Sequence, residues 1–277
     1  MRQAKCVDFL QWAMPRLGLN WAGFQRVHRQ VCKRLNERVA ELGLADFDAY
    51  RNYLLDHEPE WATVDACCRV TVSRFYRDKA LFDELTAREL PRLAAAARAR
   101  GASALRAWSA GCAAGEEPYS LVLAWKFAAA RRFPSLRFEV VATDVDEVEL
   151  VRARQGCYRP SSLRELPATW KDVAFTSADG LLCLNPAYQG TVEFHRQDIR
   201  ADAPTGPFDL ILCRNLAFTY FDLDHRRHVL SLLIRELVPD GTLVVGRRER
   251  LPDGVGGLVS SNSRLRIFRR AQQAAAA

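Results

Sequence analysis

The segment 105–120 constrains the fold more than any other part of the chain. Residues 105–109 form a short apolar run typical of a buried strand, residues 110–115 are small and include Gly111, and a helix begins after them. Glycine lets the backbone approach a ligand closely, because it has no side chain in the way. A strand, a glycine-containing loop and a helix in this order predict a nucleotide-type cofactor site in an α/β fold.

Two carboxylates at the start of that helix restrict the kind of cofactor. Glu116 and Glu117 stand in the predicted first turn, where they would repel a pyrophosphate and attract a cationic ligand. S-adenosyl-L-methionine carries an ammonium and a sulfonium and needs no phosphate cradle. The loop therefore predicts this cofactor and points to methyl transfer.

The composition predicts a globular protein with a sizeable core. The chain has 277 residues, of which 49% are hydrophobic, enough for one large domain or up to two ordinary ones. No apolar run reaches the roughly 18 residues that span a bilayer, and the N-terminal residues lack a signal-peptide pattern. We therefore expect a cytoplasmic protein without membrane insertion.

The charge balance favours an acidic partner. The chain has 40 Lys and Arg against 33 Asp and Glu, a net charge of +7. Such a surplus attracts nucleic acid or an acidic protein surface, and net charge alone does not choose between them.

The cysteine and histidine pattern gives no indication of a metal site. The eight cysteines contain no Cys-x-x-Cys motif and no Cys/His cluster, so we expect no metal and reduced thiols. His225 and His228 are three residues apart on a predicted helix, but no carboxylate or cysteine partner is evident. A solvated helix face is the favoured interpretation.

Residues 1–95 are predicted to form a small helical domain with a linker. Apolar residues recur there at spacings of three and four. Asp46 is a predicted cap for a helix over 47–55, and another helix is predicted over 59–69. One basic face is expected to carry Arg26, Arg29, Lys33 and Arg34.

After Gly101 the pattern changes to short apolar runs separated by longer helical stretches. The alternation predicts a doubly wound, mostly parallel sheet with helices on both faces, and two closely spaced final strands predict an antiparallel edge. The predicted strands are 105–109, 138–143, 192–196, 208–213 and 242–245, with helices at 119–132 and 222–237 and the final pair at 256–259 and 265–268.

These elements predict a Rossmann-like α/β domain over residues 96–270, preceded by the all-α domain. The turn-rich stretch at about 157–190 is too long for a simple crossover and is expected to be a small inserted subdomain. Within it, Asn185-Pro-Ala-Tyr188 is similar to the Asn-Pro-Pro-Tyr signature of amino-methylating nucleic-acid enzymes, but its position favours a proline turn. Residues 271–277 are expected to be a disordered tail.

Polar residues follow three of the predicted strands, where an open parallel sheet binds its ligands. Asp144 ends the second strand and is predicted to accept hydrogen bonds from ribose hydroxyls, the alternative being a helix cap. Asp198 follows the third strand and is predicted to accept the adenine amino group with Ile199 against the ring, the alternative being a turn. Arg214 and Asn215 end the fourth strand, where the reactive end of the cofactor should lie.

Several strings of residues, collinear from about residue 20 to 269, carry a family resemblance. They are 75–78 with Phe82, 108–120, 142–146, 153–158, 208–215, 220–222 and 237–241. Together they resemble the CheR family of chemotaxis-receptor methyltransferases, with Gly-Glu-Glu-Pro-Tyr-Ser at 115–120 and Cys-Arg-Asn at 213–215 the most specific strings.

The resemblance implies a helical N-terminal domain followed by an S-adenosylmethionine-dependent methyltransferase domain. It implies methylation of glutamate side chains on an acidic helical substrate, the cytoplasmic domain of a chemoreceptor, to γ-glutamyl methyl esters. Nucleic acid is disfavoured as a partner.

The resemblance also implies roles for particular residues. Ser73 and Arg77 would reach the cofactor and active site from the linker, and Glu116 or Glu117 would contact the methionine end. The implied catalytic residues are Arg77, Tyr220 and Arg214, and the implied cofactor-binding residues are Ser73, Arg77, Gly111, Glu116, Glu117, Asp144, Asp198, Ile199, Arg214 and Asn215.

Three departures from the family pattern concern the acceptor side of the site. The spacing between Asn215 and Tyr220 is one residue longer than usual, Gly246-Arg-Arg-Glu249 replaces Gly-His-Ser-Glu, and Ser73 stands where the family has threonine. The stretch 176–190 also lacks the glycine-dense loop of versions that dock a receptor's C-terminal pentapeptide. Two alternatives therefore stay open: another acceptor, such as a nucleic acid or small metabolite, or a cofactor-binding regulatory module without turnover.

Overall fold

The computed structural model describes residues 2–271, so the tail expected at 271–277 lies outside the described residues except for Ala271. These residues divide into two compact units. A helical unit contains the residues up to Thr71 together with Leu216–Arg226, and a sheet unit contains Val72–Asn215 together with the residues from Arg227 onward. No helix among residues 2–271 is both long and apolar enough to cross a membrane.

The helical unit consists of short helices with capped ends. Its helices are Arg2–Ala13, Trp21–Phe24, His28–Glu41, Phe47–Asp56, Trp61–Cys68 and Ala217–Tyr220, with 3-10 turns at Met14–Leu17 and Glu58–Glu60. The carboxylate of Asp46 accepts the backbone N–H groups of Asp48 and Ala49, each at 3.0 Å, which confirms the predicted cap. The helix predicted over 59–69 is shorter, because a 3-10 turn precedes it.

An aromatic cluster and a buried carboxylate hold the helical unit together. The ring of Phe9 lies 5.1 Å from that of Phe47 and 5.4 Å from that of Tyr50, centroid to centroid. The hydroxyl of Tyr50 donates to Glu60 at 2.8 Å, and Arg38 donates to both oxygens of the same carboxylate at 2.8 and 2.9 Å. The buried polar group is therefore fully partnered, as burial requires.

The sheet unit contains ten strands in two sheets. They are β1 Ala104–Ala110, β2 Arg137–Asp144, β3 Cys157–Tyr158, β4 Phe175–Ala178, β5 Leu181–Leu184, β6 Val192–Arg196, β7 Phe208–Cys213, β8 Leu237–Val245, β9 Leu258–Asn262 and β10 Ile267–Arg270. The main sheet has the order β6-β2-β1-β7-β8-β10-β9. The pairings from β6 to β8 are parallel, whereas β10 pairs antiparallel with β8 and β9. This confirms the predicted Rossmann-like α/β class with an antiparallel edge.

Helices cover the main sheet and supply most of its core. Those that lie wholly in this unit are Lys79–Glu84, Leu90–Ala99, Glu116–Ala124, Glu147–Gln155, Ala168–Ala174 and Pro186–Gln189, and Leu223–Glu236 begins in the helical unit and continues into this one. The helix predicted over 119–132 is divided into an α segment, a π segment at Trp125–Ala129 and a 3-10 turn at Ala130–Arg132.

Residues 72–95, which the sequence assigns to the helical domain and its linker, are grouped with the sheet unit. Phe75, Phe82 and Leu93 are buried in the core cluster of that unit. Their burial against the sheet is the physical reason for the difference from the predicted boundary at residue 95.

The second sheet and two disulfides depart from the expectation of reduced thiols. The short strands β3, β5 and β4 form an antiparallel sheet within the stretch predicted as an inserted subdomain. Cys157 and Cys183 are register partners in it, with Cα atoms 4.0 Å apart, and form a disulfide. Cys6 and Cys32 form another. The expectation of reduced thiols is wrong for these four cysteines, because tertiary pairing brings together residues that are distant in sequence.

The strand order fixes where a ligand can bind. The chain leaves β1 for β2 and β6 on one side and returns to β7 and β8 on the other, so the order reverses at β1. Ligands of such sheets bind outside the carboxyl ends of the strands at this switch point. Ala110 lies there between Thr143 of β2 and Cys213 of β7 in register.

Candidate active site

The loop after β1 is wound against the end of β2 by its own backbone. The N–H groups of Gly111 and Cys112 donate to the carbonyl of Thr143 at 2.8 and 3.0 Å. The N–H of Ala113 donates to Oδ2 of Asp144 at 2.8 Å. Gly111 has a φ of 75°, in the left-handed region that glycine enters without strain. These three N–H groups are already bonded within the protein, so they offer no cradle to a phosphate.

Asp144 is held by two backbone groups and is not the cap of the following helix. Its Oδ1 accepts the N–H of Asp146 at 2.9 Å. The helix cap is Asp146, whose own carboxylate accepts the N–H of Val148 at 3.0 Å. Burial raises the pKa of the Asp144 carboxyl above its ordinary value, although both backbone hydrogen bonds act in the opposite direction. Each oxygen keeps a further lone pair, so two ribose hydroxyls could still donate to it.

A buried arginine joins four of the elements around the switch point. Arg214 follows β7, and its side chain is only 1% exposed. Its guanidinium donates to Oε2 of Glu117 at 2.9 Å, to Oδ2 of Asp78 at 2.5 Å and to the carbonyl of Arg77 at 3.1 Å. Oε1 of Glu117 accepts the hydroxyl of Ser109 at 2.9 Å. We call these five residues the Arg214 network.

Glu116 differs from its neighbour in having an unsatisfied oxygen. The residue is 4% exposed, and its Oε2 is buried without a hydrogen-bond partner among the described residues. Burial raises the pKa of its carboxyl, while a hydrogen bond from Ser73 lowers it. The structure thus places Ser73 beside Glu116. It also places Arg77 beside Arg214, which donates to the Arg77 carbonyl.

Asn215 is positioned by a carboxylate that the sequence reasoning did not assign to the site. Asn215 has a φ of 56°, in the left-handed region. Its N–H donates to Oε2 of Glu249 at 2.9 Å, and the N–H of Gly246 donates to the same atom at 2.6 Å. Glu249 is 4% exposed and joins the turns after β7 and β8. The signal in the sequence is its place at the end of Gly246-Arg-Arg-Glu249, where it agrees with the Gly-His-Ser-Glu of the family.

The residues predicted at the adenine end form a tight turn. The carboxylate of Asp198 accepts the N–H of Arg200 at 2.9 Å and pairs with its guanidinium at 2.7 Å. Ile199 is 6% exposed. The adenine roles of Asp198 and Ile199 remain predictions, and Arg200 is an ion-pair partner that the sequence reasoning missed.

Tyr220 belongs to the helical unit rather than to the unit that contains Arg214. Its ring centroid lies 4.8 Å from that of Phe24, and its carbonyl accepts the N–H of Asn20 at 2.7 Å. Its catalytic role remains a prediction.

The nearby His225 is bonded to Asp222 at 2.9 Å, and no group of three or more potential metal-ligating residues occurs in the part of the chain that the structure describes.

The donor and acceptor groups at the switch point suit a cationic cofactor. Asp78, Glu117 and Asp144 supply carboxylates around the guanidinium of Arg214, and the loop N–H groups of 111–113 are used internally. Negative charge attracts an ammonium or a sulfonium and repels a phosphate. The residues present therefore fit S-adenosylmethionine.

The sequence matches a known family over most of its length. The family described as "CheR methyltransferase, SAM binding domain" matches residues 71–264. The chain is 33% identical to the chemotaxis protein methyltransferase of Escherichia coli, over 79% of this chain and 75% of the relative. It is 31% identical to that of Listeria monocytogenes, over 66% of each chain. A 104.1 kDa protein of Rhodobacter capsulatus is 30% identical, and the match covers 80% of this chain but only 23% of that protein.

Solved structures of methyltransferases are similar at lower identity. The N-methyltransferase NodS of Bradyrhizobium japonicum is 18% identical, with a TM-score of 0.35, covering 70% of this chain and 99% of that one. The amino pentose methyltransferase CalS10 of Micromonospora echinaspora is 22% identical, with a TM-score of 0.34, covering 72% of this chain and 66% of that one.

Proposed function

The chain belongs to the CheR methyltransferase family, and from this premise we propose that it methylates glutamate side chains of chemotaxis receptors to γ-glutamyl methyl esters. The methyl donor is S-adenosylmethionine. The observation that carries the proposal is the excess of carboxylates at the switch point of a sheet whose sequence matches a family of S-adenosylmethionine-binding domains.

The proposed cofactor contacts follow the strand ends. Asp144 accepts the ribose hydroxyls with the lone pairs that its two backbone hydrogen bonds leave open. Glu117 faces the positively charged methionine end, and Asp198 with Ile199 takes the adenine. When bound, S-adenosylmethionine supplies a methyl group activated by its sulfonium.

The acceptor requires positioning rather than acid–base catalysis. A glutamate carboxylate is ionised at neutral pH, so no general base has to remove a proton. The residues of the chain have to align it and exclude water, and alignment of this kind lowers a barrier by up to about 7–11 kcal/mol. Arg77 is the proposed orienting residue, because its guanidinium donates to the carbonyl of Val72 and is only half-buried. The catalytic role that the family resemblance implies for Tyr220 remains a prediction.

The helical unit offers a basic surface for an acidic helical substrate. Arg26, Arg29 and Lys33 are exposed at spacings of three and four around the start of the helix His28–Glu41. Arg34 is not part of this surface, because its guanidinium donates inward to the carbonyls of Cys67 and Arg69 at 3.2 and 2.5 Å. We propose that these three exposed cations face the receptor, and that the reaction takes place in the cytoplasm, where the receptor's cytoplasmic domain would be the acceptor.

One observation favours a second acceptor class. Arg247 and Arg248 follow β8 and are both exposed, at the end of the sheet where the family usually has histidine and serine. Exposed arginines bind phosphate groups well, so methylation of a nucleic acid is the second candidate.

The experiment that separates these candidates uses methyl-labelled S-adenosylmethionine with purified receptor cytoplasmic fragments, with RNA, and with no acceptor. We expect label in the receptor fragment and its release as methanol in mild base, as a carboxyl methyl ester requires. Arg77→Lys should lower turnover by more than it weakens cofactor binding, and Arg131→Lys, at an exposed arginine in the sheet unit, serves as the control. Base-stable label in protein would contradict the ester, and label in RNA alone would establish the second candidate.

A further inference from the structure

We propose that Asp78 is a positioning residue of the cofactor site, which acts through Arg214 on the charge and placement of Glu117. The inference rests on the proposed function, since it assigns a role within the same site. Neither the loop pattern nor the family resemblance assigns Asp78 to the site.

Neither the side chain nor the backbone of Asp78 follows the usual preferences of a helix N-cap. The residue stands at the N-cap of the helix Lys79–Glu84, where an aspartate side chain normally accepts a backbone N–H of the first turn. Its side chain makes no such bond and accepts a hydrogen bond from Arg214 instead. Its φ of 66° and ψ of 64° are left-handed, a region that glycine enters freely and that aspartate and asparagine enter only occasionally. Local departures of this kind, which the surrounding structure must maintain, are typical of functional sites.

The segment that carries Asp78 is anchored on both sides. The N–H of Tyr76 donates to the hydroxyl of Ser120 at 2.8 Å, and the carbonyl of Arg77 accepts from Arg214 at 3.1 Å. The ring of Phe82, on the helix that Asp78 begins, lies 5.8 Å from the Arg214 guanidinium carbon. Arg214 therefore has a fixed place, and Asp78 is held against it.

The charges of the Arg214 network explain why a second carboxylate is needed. With Glu117 as its sole ionic partner, Arg214 would form a neutral pair. Because Asp78 shares the guanidinium, the group of three carries a net negative charge. An ionised carboxylate that is not fully neutralised can still attract a cationic methionine end, and it does so more strongly in a site from which water is excluded.

The same contacts restrict what Arg214 can do. Its side chain is 1% exposed, and it donates to two carboxylates and a carbonyl. The part of Arg214 in methyl transfer is then indirect, through the two carboxylates that it holds. The arginine proposed to orient the acceptor carboxylate is Arg77. The network holds its backbone carbonyl, whereas its guanidinium donates to the carbonyl of Val72.

Calorimetric titration of the full chain with S-adenosylhomocysteine tests the proposal without any methyl acceptor. Asp78→Asn keeps the shape and tolerates the left-handed backbone but removes the charge, so we expect about tenfold weaker binding with an unchanged Tm. Asp78→Gly relieves the backbone conformation, so we expect an equal or higher Tm together with a larger loss of affinity. Asp83→Asn, the same change on the same helix in a carboxylate paired with Lys79, should bind within about twofold of wild type.

A second measurement distinguishes positioning from a merely structural role. If Asp78 acts through Glu117, then Asp78→Asn should cause little further loss in a Glu117→Gln background, whereas independent effects would multiply. Wild-type affinity in both Asp78 variants, a loss of Tm that accounts for the loss of affinity, or multiplying effects would each overturn the proposal. Absence of S-adenosylhomocysteine binding to the wild-type chain would instead refute the proposed function.

Discussion

Burial and hydrogen bonding shift the pKa of the Asp144 carboxyl in opposite directions. Burial disfavours the charged form, and two backbone N–H groups favour it, with the net result that its pKa is raised from the ordinary value of 3.8. A ribose hydroxyl donates more strongly to the ionised form than to the neutral acid. Cofactor affinity should therefore depend on the protonation of this one group.

We expect Asp144→Asn to weaken S-adenosylhomocysteine binding by about 2 kcal/mol, the usual contribution of hydrogen bonds to a charged group. In the wild-type chain the affinity should be constant near neutral pH and fall as the pH approaches the carboxyl range, beginning above 3.8 because the pKa of Asp144 is raised. Calorimetry across this range checks both statements. The same acid-induced weakening in Asp144→Asn, or an unchanged affinity at neutral pH, would refute the ribose role.

The carboxyl of Glu60 is a second group with a shifted pKa, and its shift affects the stability of the fold. Hydrogen bonds from Arg38 lower the pKa of its carboxyl below the ordinary value of 4.5, although burial opposes them. A lowered pKa in the folded state stabilises the fold above the unfolded value, and this contribution is lost as the pH falls through the folded pKa. We expect Glu60→Gln to lower the free energy of unfolding by about 2 kcal/mol at neutral pH and Tyr50→Phe by about 1 kcal/mol.

Urea unfolding of the three proteins at neutral and acidic pH measures these differences. The gap between wild type and Glu60→Gln should begin to narrow below pH 4.5, where the carboxyl of the unfolded chain becomes protonated, and should close as the pH falls through the lower pKa of the folded state. A gap that stays constant with pH would show that the charge of Glu60 makes no contribution. Residue-level partners of this kind could not be predicted from the sequence, because Arg38 and Glu60 are related only through the packing of their helices.

At the scale of elements, strands were easier to predict than helices. The bounds of β6 and β7 agree with the predicted strands, because short apolar runs between turns leave little ambiguity. β8 begins at Leu237, five residues before the predicted start, because Pro239 and Asp240 interrupt its apolar pattern. The π segment at Trp125–Ala129 has no sequence signal, since its residues are equally compatible with an α-helix.

The pairing of β3 with β5 gives a prediction for the Cys157–Cys183 disulfide. Its loop spans 26 residues, and closing a loop of that length in the unfolded chain corresponds to about 3.5 kcal/mol of stability. We expect the double change Cys157→Ser and Cys183→Ser to lower the free energy of unfolding by about that amount. Cys67→Ser, at a half-buried free thiol, is the control. Equal stability of the double variant and wild type under non-reducing conditions would contradict a structural role for the bond.

At the scale of the whole molecule, the sequence determined which strands end at the site but not how their side chains pair. Asp144, Arg214 and Asn215 follow strands that a parallel sheet must bring to one edge, so their proximity was predictable. The bond from Asn215 to Glu249 and the sharing of Arg214 by Asp78 and Glu117 depend on side-chain geometry in three dimensions. The sequence places Asp78 only within a string shared with the family, because its partner Arg214 lies 136 residues further along the chain.

The surplus of positive charge leads to a prediction for the proposed reaction as a whole. The chain carries +7, and Arg26, Arg29 and Lys33 are exposed on the helical unit. If these cations attract an acidic receptor, kcat/KM for the receptor fragment should fall by about tenfold as salt shortens the range of electrostatic attraction. S-adenosylhomocysteine binding, whose proposed contacts lie in the sheet unit, should change much less. The double change Arg29→Ala and Lys33→Ala should lower kcat/KM at low salt and make it less dependent on salt, whereas Arg131→Ala should not. If the two variants showed equal salt dependence, the receptor contact would lie outside the helical unit. Removing cations from the helical unit would then affect the attraction no more than removing one from the sheet unit.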